Sequence, residues 1–154
     1  GIEAARADLF EGRPWLLTPA GPDAGDALRR VQAFIEGVGA TPRILDSAAD
    51  HDRLAAFLSH LPQVTATALM GVIGEALDDE ELSLAGRGLL DTTRLASSPP
   101  EISQDACATS ADEVGQAIDG LVLRLQQLRG ALRAGETLAA LFDSAAKQRR
   151  TLDG

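Results

Sequence analysis

The alternation of apolar and polar positions changes character near Ser47. Upstream, apolar residues come in short groups. Ile2, Ala5, Leu9 and Phe10 fall on one side of a helical wheel with charges on the other, which predicts a short amphipathic helix over 2–10. Trp15-Leu16-Leu17-Thr18, bounded by Pro14 and Pro19, has the length and punctuation of a buried strand. A Gly/Pro/Asp-rich turn over 20–25 leads into a helix from Asp26 to Gly37. Leu28, Val31, Phe34 and Ile35 are its inward face, Arg29, Arg30 and Glu36 face outward, and Gly37 and Gly39 end it. Thr41 to Leu45 reads as a second strand. Strand, helix, strand in this order predicts a βαβ unit with parallel strands and a right-handed crossover. Two parallel strands are not stable alone, so they belong to a larger sheet that the rest of the sequence does not supply.

From Ser47 onward the spacing is helical throughout. Leu54, Leu58 (with Phe57), Leu61, Val64, Ala68, Val72 and Ile73 mark one face of a helix from about Ser47 to Leu77. At about 1.5 Å per residue it is roughly 45 Å long. Both histidines, His51 and His60, lie in it, and Pro62 sits in its interior. Proline there removes the N–H that would bond the Leu58 carbonyl and favours a kink, leaving a polar notch beside Ser59 and His60. Asp78 to Glu81 reads as a solvated turn, and Leu82 to Ala96 as another helix. Ser98-Pro99-Pro100-Glu101 predicts a helix start with Ser at the N-cap and Pro at the first position, the helix running to about Ala108. Ser110-Ala111-Asp112-Glu113 predicts a capping box that opens a helix to about Arg133. In it Val114, Ile118, Leu121, Leu125, Leu128 and Leu132 form a heptad seam for lengthwise packing. A last helix carries Leu138, Leu141, Phe142 and Ala145 and ends in Lys147-Gln148-Arg149-Arg150, cations suited to a helix C-terminus.

The composition, 45% hydrophobic but 3% aromatic, favours helices over a β-sandwich. A net charge of −9 argues against a nucleic-acid partner or an anionic membrane surface. No uninterrupted apolar run approaches the roughly 18 residues of a membrane span, and no signal peptide heads the chain. The single cysteine, Cys107, cannot form an internal disulfide, which fits the cytoplasm, and its small neighbours make it a buried filler. Two histidines nine positions apart and one distant cysteine match no zinc spacing. The start at Gly1-Ile2-Glu3, directly into a helix-like pattern, suggests a piece of a longer protein.

Three segments together resemble the prephenate/arogenate dehydrogenase family. They are Gly1-Ile2-Glu3 through Leu9-Phe10-Glu11-Gly12 with Trp15-Leu16-Leu17-Thr18-Pro19; His51-Asp52 with Ser59-His60-Leu61-Pro62; and Asp91-Thr92-Thr93-Arg94-Leu95-Ala96 with Ser98-Pro99, continuing through Asp105 and Cys107 to Asp112-Glu113. The resemblance implies a mainly α fold, a helical dimerisation bundle of the 6-phosphogluconate dehydrogenase C-terminal type. A βαβ remnant of a Rossmann domain would precede it, with 1–46 as the remnant and 47–154 as the dimerisation and substrate-binding domain. It implies NAD(P)-dependent oxidative decarboxylation of prephenate to 4-hydroxyphenylpyruvate in tyrosine biosynthesis, by a cytoplasmic homodimer. NAD or NADP would serve the full-length enzyme. The glycine-rich nucleotide fingerprint is missing from the sequence, as is the family's His-Pro motif with its catalytic histidine, so the chain alone should bind no cofactor and be inactive.

By resemblance, Arg94 clamps a substrate carboxylate, since its planar fork takes one bidentately. Asp91 orients Arg94 or pairs with the other domain, and His60 hydrogen-bonds at the pocket wall. Gln63 stands where many relatives have a second histidine. Ser103 replaces a tryptophan that in several relatives reaches the neighbouring subunit. His51 reads as structural or as a support for a contacting group, and Trp15 as a sheet-packing residue. Read from the residues alone, Asp91 and Arg94 also fit a surface ion pair worth about a few tenths of a kcal/mol, and His60 fits a satisfied core histidine. Arogenate dehydrogenase and a purely structural dimerisation module stay open as alternatives. A 6-phosphogluconate-type enzyme would carry a lysine in the long helix, and the only lysine is Lys147.

Overall fold

A computed structural model describes residue 2, residues 5–21 and residues 24–152. The N-terminal part is a βαβ unit. Strand β1 (Pro14–Leu17) leads through helix α1 (Gly25–Gly37) to strand β2 (Thr41–Ile44), and the two strands pair in parallel, Pro14 opposite Thr41 and Leu17 opposite Ile44. The turn expected at 20–25 falls partly on 22 and 23, outside the described residues. Ile35, 1% exposed, and Ala40 form the core of the unit. Gly39, at φ +82°, makes the sharp return into β2; its carbonyl accepts the Gly12 N–H at 2.8 Å, and a Cβ there would sit 3.4 Å from the Glu11 backbone.

Two expectations for this region need correction. No helix forms over the described part of 2–10. Successive three-residue turns close instead, Leu9 N–H to the Arg6 carbonyl and Glu11 N–H to that of Asp8, and Glu3 and Ala4 lie outside the described residues. Phe10 turns back onto Trp15, ring centroids 5.2 Å apart, so the apolar residues of the segment serve the strand rather than a helix face. On α1, Leu28 and Ile35 are inward but Val31 and Phe34 are exposed. Two strands cannot cover the full apolar face of a helix.

From Ser47 the chain is helical. Ser47 caps α2 (Ala48–Ala55), its hydroxyl accepting the Asp50 N–H. A π-helical segment, Ala56–His60, joins α2 to α3 (Leu61–Ala76), and helical torsions run through both junctions. The Leu61 N–H bonds the Ala56 carbonyl five residues back. The helix therefore absorbs one extra residue ahead of Pro62. The widened turn relieves the clash that a proline ring makes with the preceding turn.

The face of this long helix also differs from the expected one. Leu58, 70% exposed, and Val72, 66% exposed, point away from the chain, as do Phe57 and Ala68. The fully buried positions are Ala56 and Ala66, with His60, Gln63, Val64 and Ile73 half-buried. The two fully buried side chains are alanines, while Phe57, Leu58 and Val72 face outward. By length and composition Ala48–Ala76 is apolar enough to cross a membrane: a stretch of it has mean hydropathy 1.3, and only 11% of that stretch is buried. Scattered Ser, Thr and Gly break this stretch into short apolar runs while barely lowering its mean hydropathy.

A short α4 (Asp79–Leu82) replaces the expected turn, held by a reciprocal capping box between Asp78 and Glu81. Helix α5 (Arg87–Thr93) starts only after Gly86 and passes into a 3₁₀ turn, Arg94–Ser97. Helix α6 (Pro100–Thr109) starts one residue later than expected, with Pro99 at the N-cap and no side-chain cap. Helix α7 (Ala111–Ala134) follows Ser110, whose hydroxyl does not cap it because its backbone (φ −127°, ψ 42°) departs from the extended form a capping box needs. Gly135, left-handed at φ +68°, ends α7, and α8 (Ala139–Arg150) follows with three cations in its last turn.

The π segment and the helices flanking it pack on α7, and α6 lies against the π segment. Val114 and Ala117 of α7 are buried there. The heptad seam is buried within the chain only at its start. Leu125 and Leu132 are exposed, so the far half of α7 presents an unfilled apolar edge.

Candidate functional site

The 3₁₀ turn Arg94–Ser97 is the element most closely packed on α3, and α5 leans on α3 beside it. Its backbone is tied at its first two carbonyls. The Arg94 carbonyl accepts the Ser97 hydroxyl at 2.8 Å, and the Leu95 carbonyl accepts the Ser98 N–H at 3.0 Å. The Leu95 carbonyl also accepts a second donor, the Gln63 side-chain amide at 2.8 Å, across 32 positions of sequence. Because the partner is a carbonyl, Nε2 must be the atom facing it. Thr93 is anchored in turn, its hydroxyl donating to the Leu89 carbonyl at 2.6 Å. The Arg94 side chain is exposed and, among the described residues, carries no hydrogen bond or ion pair. A fixed backbone thus presents a free guanidinium.

His60 stands one helical turn before Gln63, so both sit on the same side of the long helix. Its Nδ1 is buried without a hydrogen-bond partner, which costs about 1–3 kcal/mol unless something supplies one. Asp91, also exposed, forms no ion pair with Arg94. His51 Nδ1 lies 3.0 Å from Asp52 Oδ1 at the surface. Gln63 also lines a mostly apolar cleft of about 310 Å³ between α3 and α6, with Val64, Thr67, Ser103 and Cys107. Cys107 is half-buried there rather than fully enclosed. A second cleft, lined by Arg6, Asp8, Leu9, Glu11 and Arg13, is a surface feature. In it Arg6 grips Asp8 with two hydrogen bonds and holds its carboxyl below the usual range.

Among the described residues no group of three or more His, Cys, Asp or Glu is placed to hold a metal. Asp26 stands in the first turn of α1, its carboxylate engaged by Arg29, and no glycine-rich fingerprint precedes that helix in the sequence.

Sequence reasoning missed two features of this region. The π turn leaves almost no trace in hydrophobic spacing. The bond from Gln63 to Leu95 links distant residues with no local signal at either end.

Residues 47–144 match the family described as the prephenate dehydrogenase dimerization domain. The chain belongs to the prephenate dehydrogenase family. Among its relatives, a cyclohexadienyl dehydrogenase of Zymomonas mobilis is 29% identical over 157 residues, covering 99% of this chain and 53% of that protein. The crystal structure of A. aeolicus prephenate dehydrogenase in complex with hydroxyphenyl propionate and NAD+ superposes with a TM-score of 0.88 at 28% identity, over 99% of this chain and 54% of that one. Synechocystis arogenate dehydrogenase superposes with a TM-score of 0.82 at 25% identity, over 99% and 56%. The chain thus spans about half the length of these prephenate dehydrogenase relatives. Its fold is the helical dehydrogenase domain with part of a Rossmann sheet before it, which accounts for two parallel strands without a larger sheet.

Proposed function

We propose that these residues are the dimerisation and substrate-binding portion of an NAD(P)-dependent prephenate dehydrogenase, which oxidatively decarboxylates prephenate to 4-hydroxyphenylpyruvate in tyrosine biosynthesis. The observation that carries the reading is the superposition, over nearly the whole chain, on a prephenate dehydrogenase bound to hydroxyphenyl propionate and NAD+. Residues 1–46 then belong to the nucleotide-binding half and 47–154 to the helical half.

The substrate is a dianion, and its recognition calls for a fixed cation. Arg94, unpaired on an anchored turn, supplies one, and its fork suits a carboxylate. His60 brings a ring nitrogen in want of a partner. Asp91, with no tie to Arg94, is free to meet a group outside these residues. A nicotinamide cofactor held by the other half would supply the hydride acceptor for the ring, whose carboxylate would leave as carbon dioxide. The likeness to an arogenate dehydrogenase supports a second reading in which the substrate is arogenate.

The protein is read as a cytoplasmic homodimer. The outward Phe57, Leu58 and Val72 and the exposed Leu125 and Leu132 offer a surface for a second copy rather than for a bilayer.

The test joins these residues to their nucleotide-binding half and follows reduced cofactor with prephenate, with arogenate, and with NAD+ or NADP+. Turnover of prephenate is expected from the joined protein and none from the 154-residue chain. Turnover by the chain alone contradicts the division of labour, and turnover of arogenate only moves the assignment to the second reading.

A further inference from the structure

We infer that Gln63 is a positioning residue: its side-chain amide clamps the turn that carries Arg94 and so sets where the guanidinium stands. The inference rests on the reading of Arg94 as the substrate's carboxylate clamp, and it gives Gln63 a role different from contact with substrate.

Three observations carry it. The Gln63 Nε2 directs one of its two N–H donors to the Leu95 carbonyl at 2.8 Å, so the amide's orientation is set by the turn. The accepting carbonyl belongs to the residue directly after Arg94, so a shift there moves the Arg94 backbone with it. Leu95 already has a partner in the Ser98 N–H, so the Gln63 bond is not needed to satisfy that carbonyl. What it adds is a connection between α3 and the turn, elements that otherwise meet only by packing. Placing a recognition group within a fraction of an ångström is the part of binding most sensitive to such a tether. The backbone of Gln63 is itself steadied, its carbonyl accepting the Thr67 hydroxyl at 3.0 Å. The reach and donor chemistry of this position explain what can replace it. Histidine offers a ring N–H, glutamate offers no donor, and leucine offers neither donor nor acceptor.

The experiment measures steady-state kinetics of Q63L, Q63E, Q63H, R94A and the double variant Q63L/R94A in the joined enzyme. Q63L is expected to raise KM for prephenate about tenfold with kcat within about twofold, the pattern of lost ground-state positioning. Q63E should do at least as much and Q63H should restore KM to within about threefold of the parent. On the R94A background, Q63L should add no further loss, because a clamp with nothing to position has no effect.

Additive losses overturn the inference and return Gln63 to direct substrate contact. R94A raising KM while Q63L leaves it unchanged overturns the inference alone. R94A without effect on KM overturns the substrate-site reading, and the inference falls with it. A readout independent of catalysis accompanies these. In the wild-type chain the Gln63 side-chain amide protons should exchange slowly with solvent, and fast exchange, like that of an exposed glutamine, overturns the clamp whatever the kinetics show.

Discussion

Individual residues divide the long helix into two chemistries. Its two fully buried side chains are alanines, Ala56 and Ala66, with His60 and Gln63 half-buried on the protein side. Alanine at a closed helix contact leaves no room for growth. Ala66→Leu is expected to destabilise the chain by about 1–3 kcal/mol, because a side chain only 2% exposed leaves no space for the added carbons. Urea unfolding monitored by circular dichroism checks it, and an unchanged midpoint would mean the site is looser than its burial implies. The Arg6–Asp8 pair illustrates the opposite case. Asp8 is held below its ordinary pKa by Arg6, so any stability it lends is present at neutral pH and fades as pH falls through its folded value. Both partners are exposed, so Arg6→Ala should leave thermal stability at pH 7 essentially unchanged.

Among the elements, the hydrophobic rhythm made the helices and both strands legible, because helical and extended periods differ strongly over even short windows. It did not reveal how hydrogen bonds are closed within a helix. One five-residue bond, Leu61 to Ala56, shifts the phase of all that follows without disturbing the composition of either half. The widened turn ahead of Pro62 was therefore not legible in that rhythm. The rhythm over 2–10 was helical too, yet the segment turns, because Phe10 packs better on Trp15 than on a helix neighbour. Pro62→Ala separates two causes of the π turn. If packing of Ala56 against α6 and α7 fixes it, the bond from Leu61 to Ala56 persists in the variant's crystal structure. That is the expected result, and a Leu61 bond to Phe57 would show that the proline alone makes the turn.

Taken whole, the chain leaves much of its apolar surface uncovered. Periodicity identifies which faces are apolar but not which chain covers them, and for that reason the seam on α7 read only as a face for lengthwise packing. Its first turns are buried against the long helix, whereas Leu125 and Leu132 are not. If a second copy covers the remainder, light scattering at micromolar concentration gives twice the chain mass. Leu125→Glu then shifts it toward the monomer with helicity retained. A monomeric parent would leave that surface unexplained. The candidate site was legible to the extent that one short motif carried Arg94 and another carried His60 and Gln63. That Gln63 reaches the carbonyl next to Arg94 was not, since residues 32 apart meet only once the chain has folded.

The account turns on Arg94 as the cation that meets the substrate. Calorimetric titration of hydroxyphenyl propionate into the joined dimeric enzyme and its R94A variant tests this directly. Loss of a charge-assisted carboxylate contact should weaken binding about 10- to 100-fold while the dimer mass stays unchanged. Equal affinity in the two proteins would contradict the assignment of a substrate site to this turn.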